Sequence, residues 1–230
     1  MIISRRLVTG LAAAALGITL GSGPAGAYAD TPASAPAPTG TPQVRVITSM
    51  GNFVIELYPE RAPLTVANFL RYVNEGQYTQ TLLHRVIAGF LIQGGGFSAT
   101  DEAAKPTHPS VVNESGNGLQ NKRGWVGLAR TEAPHSGNCQ FYINVADNPD
   151  LDPLPVRWGY AVFGRVIDGM DVLDRISTVP TGSEGRFKTD APLTHVTIEK
   201  IELVGPGGIK REAPKELAPA PTGNEVQSPN

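Results

Sequence analysis

Arg85 and Gln93 stand inside an otherwise apolar and small-residue run, Leu82-Leu83-His84-Arg85-Val86-Ile87-Ala88-Gly89-Phe90-Leu91-Ile92-Gln93-Gly94-Gly95-Gly96. The run reads as two short strands joined by a turn at Ala88-Gly89. An arginine is almost never left in an apolar neighbourhood unless it is paired or acts on something. Other chemistries find little support. The four histidines, His84, His108, His135 and His195, show no metal-ligand spacing and no His-Glu-x-x-His run, so no metal is implied. There is no G-x-S-x-G elbow. The triple glycine lacks the Lys-Ser/Thr and the helix of a phosphate loop and reads as a tight turn. Cys139 is the single cysteine. His135 lies close enough in sequence to serve as its base, but beside Gln140-Phe141 the thiol reads as a small buried strand residue.

What remains is a set of neutral polar and apolar groups around one arginine. Such a set suits a reaction with no covalent step and no net proton transfer. Rotation about an X–Pro bond is one, with a barrier of roughly 18–20 kcal/mol set by amide resonance. An apolar slot holds the ring, and a donor aimed at the prolyl nitrogen favours its pyramidal form in the twisted state. Lowering the barrier by about 7 kcal/mol gives about a 10⁵-fold acceleration. A guanidinium suits the role because it stays charged and presents a rigid donor fork. The composition permits this scheme without requiring it.

The elements that must position these residues are mostly short strands. Val44–Thr48 and Phe53–Leu57 flank Ser49-Met50-Gly51-Asn52, a hairpin signature. Pro63 opens a helix whose apolar stripe is Val66, Phe69, Leu70 and Val73, and Gly76 ends it. Further strands are expected at Leu82–Ile87, Phe90–Gln93, Trp125–Ala129, Gln140–Val145 and Tyr160–Val166, with a shorter helix over Met170–Ile176. The last strand, His195–Val204, changes parity between Val196/Ile198 and Ile201/Leu203, which a bulge would reconcile. This is a mainly β chain, and about eight strands with two helices fit a closed eight-stranded antiparallel barrel capped by two α-helices. On pattern alone a sandwich is the alternative.

The chain has 230 residues, 40% of them hydrophobic and 17% charged, with 26 Gly and 20 Pro. That suits one domain with appendages. Residues 1–29 read as an export signal: Arg5-Arg6, the apolar Leu7–Leu20, and Ala27-Tyr28-Ala29 before a cleavage point at Asp30. An uncleaved anchor is the alternative. Arg5-Arg6 also faintly resembles a twin-arginine signal. Residues 30–42 read as a Pro/Ala-rich linker, 43–204 as the folded domain and 205–230 as a disordered tail. Losing the signal lowers the formal net charge from −2 to −4, which argues against nucleic acid as a partner. No stable membrane insertion is expected after cleavage, and a monomer is expected. The expected location is periplasmic or extracellular.

Taken together, the motifs resemble the cyclophilins, most of all the bacterial exported type. They are Ala62-Pro63 with Asn68-Phe69, His84-Arg85-Val86-Ile87, Gly89-Phe90-Leu91-Ile92-Gln93-Gly94-Gly95, Asn113-Glu114, Ala129-Arg130, Gln140-Phe141-Tyr142-Ile143 and Tyr160-Ala161-Val162-Phe163-Gly164. The resemblance implies an eight-stranded barrel and peptidyl-prolyl cis-trans isomerase activity on proline-containing unfolded or partly folded polypeptides, with no cofactor. Arg85 matches the catalytic arginine. Phe90, Leu91 and Tyr142 match the proline slot, with Leu151 on its rim. Gln93 matches the glutamine that supports the arginine and the substrate backbone. Ala129 and Arg130 match the edge that pairs with substrate main chain, and Gln140 lines the groove. His84 matches the histidine before the arginine, in a structural or supporting role.

The departures are few. Tyr160 stands where many eukaryotic members have histidine. Asp150 falls where members carry an aromatic residue, in a proline-rich loop to Trp158, which puts tight cyclosporin binding in doubt. Leu83 replaces a usual phenylalanine, and Tyr142 adds a hydroxyl to the slot. Asp150 and Leu83 leave open a proline-peptide binding module or chaperone with little turnover, and the tails leave open a structural exported domain.

Overall fold

The computed structural model describes residues 40–204. The expected signal at 1–29, most of the linker 30–42 and the tail 205–230 lie outside the described residues.

Strands β1 (Gln43–Thr48) and β2 (Gly51–Leu57) form the expected hairpin. Val44, Val46 and Thr48 alternate inward along β1, as a half-buried strand requires. Helix α1 (Pro63–Asn74) begins on Pro63 and buries Val66, Phe69 and Val73. Ala62, just ahead of it, offers no side-chain cap. The Glu114 carboxylate takes that place from a distant loop, accepting Leu64 N at 3.1 Å, Thr65 N at 2.8 Å and the Thr65 hydroxyl at 2.7 Å. It satisfies otherwise orphaned amides and places negative charge at the positive end of the helix.

The chain continues through β3 (Thr81–Leu82), β4 (Arg85–Ile87), β5 (Leu91–Gly94), β6 (Trp125–Leu128), β7 (Phe141–Asn144) and β8 (Val162–Asp168). Helix α2 (Met170–Ser177), strands β9 (Thr181–Glu184) and β10 (Phe187–Pro192), and β11 (Thr197–Val204) complete it. One sheet of nine strands runs in the order β3-β11-β1-β2-β8-β6-β7-β5-β4, with every pairing antiparallel. A single cluster of buried residues, including Phe53, Phe69, Phe141, Phe163 and Leu173, fills its interior.

This corrects the closed eight-stranded barrel: the sheet is curled but open, and it has nine strands. The cause lies in the segment read as one strand, Leu82–Ile87. Thr81, Leu82, Leu83 and His84 are all buried, so alternation fails there. The chain bends inward and splits into β3, which pairs with β11, and β4, which pairs with β5. These two become the free edges.

The parity change in the last strand is a bulge. The register passes from Ile47↔Lys200 to Thr48↔Ile198, skipping Glu199, and so Val196, Ile198 and Ile201 are all buried. Leu203 is 58% exposed. β3 pairs with β11 only at Thr197 and Ile198. The separate β9–β10 hairpin was not expected, because Thr181-Gly182-Ser183-Glu184 reads as a polar loop.

Candidate functional site

Strand register builds the site. Val86, Ile92, Ile143 and Val126 pair in turn across β4, β5, β7 and β6, and all four are buried in the core. The row next to them, Arg85↔Gln93↔Tyr142↔Gly127, belongs to the opposite face of the same strands. Leu91, two residues from Gln93, shares that face. Alternation that sends the apolar residues inward therefore lines up the arginine, the glutamine and the tyrosine.

The tight turn between β4 and β5 holds Phe90 half-buried at the row's end. Gly89 takes φ +68°, a conformation that side chains rarely adopt, and Phe90 N donates to Ile87 O at 3.1 Å. Gly127 is required for a different reason: a Cβ there would collide with the Tyr142 ring lying over it.

The polar groups are chained. Arg85 Nη1 reaches Gln93 Oε1 at 3.5 Å, and Gln93 Nε2 donates to Gln140 Oε1 at 2.9 Å. On its other edge, Arg85 Nε lies 3.7 Å from Asp190 Oδ2, and the two side chains are 41% and 39% exposed. That separation exceeds a hydrogen bond. The guanidinium is steered by a carboxylate while staying open to solvent.

The Tyr142 hydroxyl donates to Asn121 Oδ1 at 2.6 Å. Asn121 N and Nδ2 both donate to Asp152 Oδ1, at 2.8 Å each. Burial holds the Tyr142 phenol well above its usual pKa, so it remains a neutral donor. Tyr160 meets the Tyr142 ring edge-on at 5.9 Å, and its own backbone amide donates to Leu151 O at 2.9 Å, which brings Leu151 beside it.

Other sequence-derived residues take different positions. The Arg130 guanidinium lies over Tyr160 at 4.4 Å and donates to the carbonyls of Gly159, Trp158, Thr131 and Glu132. Its side chain therefore fastens the loop that carries Tyr160. Ala129 N is committed to Gln140 O at 2.9 Å. His84 is buried between Phe97, edge-on at 4.6 Å, and Phe187, stacked at 5.4 Å. Burial lowers its pKa to about 4, so the ring is neutral near pH 7. Cys139 is buried with its thiol pKa raised by burial, and His135 Nδ1 accepts Asn113 N instead.

Sequence reasoning missed Asn121 and Asp190. Both sit in stretches that read as loops, Gln120-Asn121-Lys122 and Thr189-Asp190-Ala191-Pro192, and no local pattern marks either. The assembled site offers a permanently charged donor beside an aromatic and aliphatic floor. His84, packed behind it, is neutral near pH 7. Such a site can bind an apolar ring next to an amide and polarise it.

Residues 43–203 match the family described as cyclophilin type peptidyl-prolyl cis-trans isomerase/CLD. The chain is 45% identical over 168 residues to peptidyl-prolyl cis-trans isomerase A of Dickeya dadantii, covering 73% of this chain and 87% of that protein. It is 48% identical over 165 residues to peptidyl-prolyl cis-trans isomerase cyp18 of Streptomyces antibioticus, covering 70% of this chain and 98% of that one. A crystal structure of a cyclophilin type peptidyl-prolyl cis-trans isomerase from Cryptosporidium parvum, obtained in the presence of the dipeptide Ala-Pro, resembles it with a TM-score of 0.59 and 27% identity, covering 71% of this chain and 99% of that chain.

Proposed function

This chain belongs to the cyclophilin-type peptidyl-prolyl cis-trans isomerases and is an enzyme of that class, and we propose that it works by presenting Arg85 to the prolyl nitrogen. The observation that carries this reading is the cross-strand row Arg85–Gln93–Tyr142, extended to Gln140 by hydrogen bonds. The proline ring rests on Phe90, Leu91 and Tyr142, with Leu151 and Tyr160 at the rim. Gln93 and Gln140 hold the flanking amide, and the main chain at Ala129–Arg130 provides an edge for the peptide. As the bond twists, the nitrogen pyramidalises and gains a lone pair. A guanidinium donor then interacts more strongly with the twisted state than with the planar one, which is what accelerates the step. No covalent bond forms and no proton changes owner.

The rate of turnover on an Ala-Pro peptide is therefore flat between about pH 6 and 9. Arg85 stays charged throughout, and His84 is already neutral because its pKa is lowered to about 4. A bell-shaped profile in that window would instead make a side chain a working acid or base.

The proposed clients are exported polypeptides. The basic, apolar and small-residue succession in residues 1–29 supports this, and N-terminal sequencing of the processed protein is expected to start at Asp30. Unprocessed protein retained in the cell would oppose it. The enzyme is proposed to act as a monomer.

A further inference from the structure

We infer that Asp190 is a positioning residue for Arg85, holding the guanidinium by its Nε edge so that its other nitrogens face the groove. This rests on Arg85 as the working cation. Asp190 is not in β4 or β5 but in β10 of the separate hairpin, and its carboxylate is the sole one within 4.0 Å of Arg85 among the described residues. Three observations point to its being aimed there.

Its backbone is the first. Asp190 has φ +60°, one of only three non-glycine residues with positive φ among those described. Asp is one of the few residues besides glycine that adopts this conformation readily, so the residue present suits the backbone turn made here. The second is the ladder. Phe187 pairs with Glu184 and Ala191 with Gly182, so Lys188, Thr189 and Asp190 on β10 oppose Ser183 alone. A bulge of this kind redirects a side chain. The third is the anchoring of the hairpin. At its tip, Glu102 Oε2 accepts Arg186 N at 2.9 Å, and Arg186 Nη1 donates to Glu102 O at 2.8 Å. Phe187 packs on His84 and Phe97. At the base, Leu193 N donates to Pro180 O at 2.9 Å. A polar excursion with no core of its own is thus fixed at both ends, and its bulge delivers one carboxylate to the catalytic cation.

The geometry separates the two edges of the guanidinium. Asp190 Oδ2, which also lies 3.3 Å from the Thr189 hydroxyl, faces Nε, while Gln93 faces Nη1. Neither contact is short, so the arginine is oriented without being sequestered. The effect on catalysis is correspondingly modest and sensitive to salt, because both partners are partly exposed.

The test uses Asp190→Asn and Asp190→Gly, since Asn and Gly both accept positive φ and preserve the bulge. Turnover of an uncharged Ala-Pro peptide is measured at about 0.02 M and 0.5 M salt, where screening lengths are about 20 Å and 4 Å. Both variants are expected to lose about three- to fivefold in kcat with KM within about twofold. Wild-type enzyme is expected to lose a similar factor on raising the salt, and the variants very little. The Arg85 Nε–Hε NMR resonance is expected to broaden in both variants. Variants that match or exceed the wild-type kcat at low salt, or a wild-type rate indifferent to salt, would overturn the assignment. Arg85→Ala run alongside separates the two failures: an inactive Arg85→Ala beside fully active Asp190 variants sinks only the Asp190 role. A fully active Arg85→Ala sinks the reading beneath it.

Discussion

His84 shows how one residue's surroundings decide its role. It is adjacent to Arg85 in sequence, yet it lies in the bend between β3 and β4, where it is buried in an aromatic cage. Its pKa is about 4 in the fold against about 6.5 when exposed. On lowering the pH, the unfolded chain takes up the proton first. The stability held by the neutral ring is therefore complete above about pH 6.5 and is lost as the pH falls toward 4. The loss is on the order of 3 kcal/mol for a shift of this size. Urea unfolding at pH 7 and pH 4.5 is expected to reveal it, and His84→Gln is expected to flatten that dependence. An unchanged slope in the variant would mean the ring takes up its proton equally readily in the folded and the unfolded chain. Arg85 and Gln93 were legible in the sequence because each interrupts an apolar run, whereas Tyr142, flanked by Phe141 and Ile143, was reached only through the family resemblance. Asn121 and Asp190 were not: their partners are fixed by loops that converge only after folding, and an Asn or Asp in a polar stretch looks like any turn residue.

At the level of elements, the sequence reading placed α1, α2, the first hairpin and the β11 bulge, because each rests on local periodicity or parity. It failed where burial broke the period. Four consecutive buried residues, Thr81 to His84, hide the joint between β3 and β4, and so the opening of the sheet was not visible. The β9–β10 hairpin was missed for the opposite reason, since it has too little apolar sequence to announce strands. Helix α1 offers the clearest element-scale test. Its first amides depend on Glu114, a residue some fifty positions away. Glu114→Ala is expected to destabilise the fold by about 1–2 kcal/mol, through loss of a distant cap and its charge. Denaturant midpoints report this, and an unshifted midpoint would show that water replaces the carboxylate without cost. Catalysis per folded molecule is expected to be unaffected, because Glu114 contacts none of the groove residues.

On the scale of the molecule, one packing solution serves both stability and chemistry. The sheet places Val86, Ile92, Ile143 and Val126 in the core, and the neighbouring cross-strand row on the opposite face is the one proposed to act on the prolyl bond. A one-residue slip in β4 or β5 would exchange these rows and destroy core and site together. The β9–β10 hairpin, fastened outside the sheet, then adjusts the arginine without entering the core. The most direct measurement follows NMR exchange cross-peaks between the cis and trans forms of an Ala-Pro peptide, with wild-type, Arg85→Ala and Arg85→Lys enzymes at equal concentration and unchanged melting temperatures. Removing a principal donor to a developing charge costs about 10²–10³ in rate, and lysine lacks the rigid fork that would replace it. Strong exchange with wild-type enzyme and a loss of at least about a hundredfold with Arg85→Ala, only partly restored by Arg85→Lys, is the predicted result. Equal exchange with all three proteins would contradict the account.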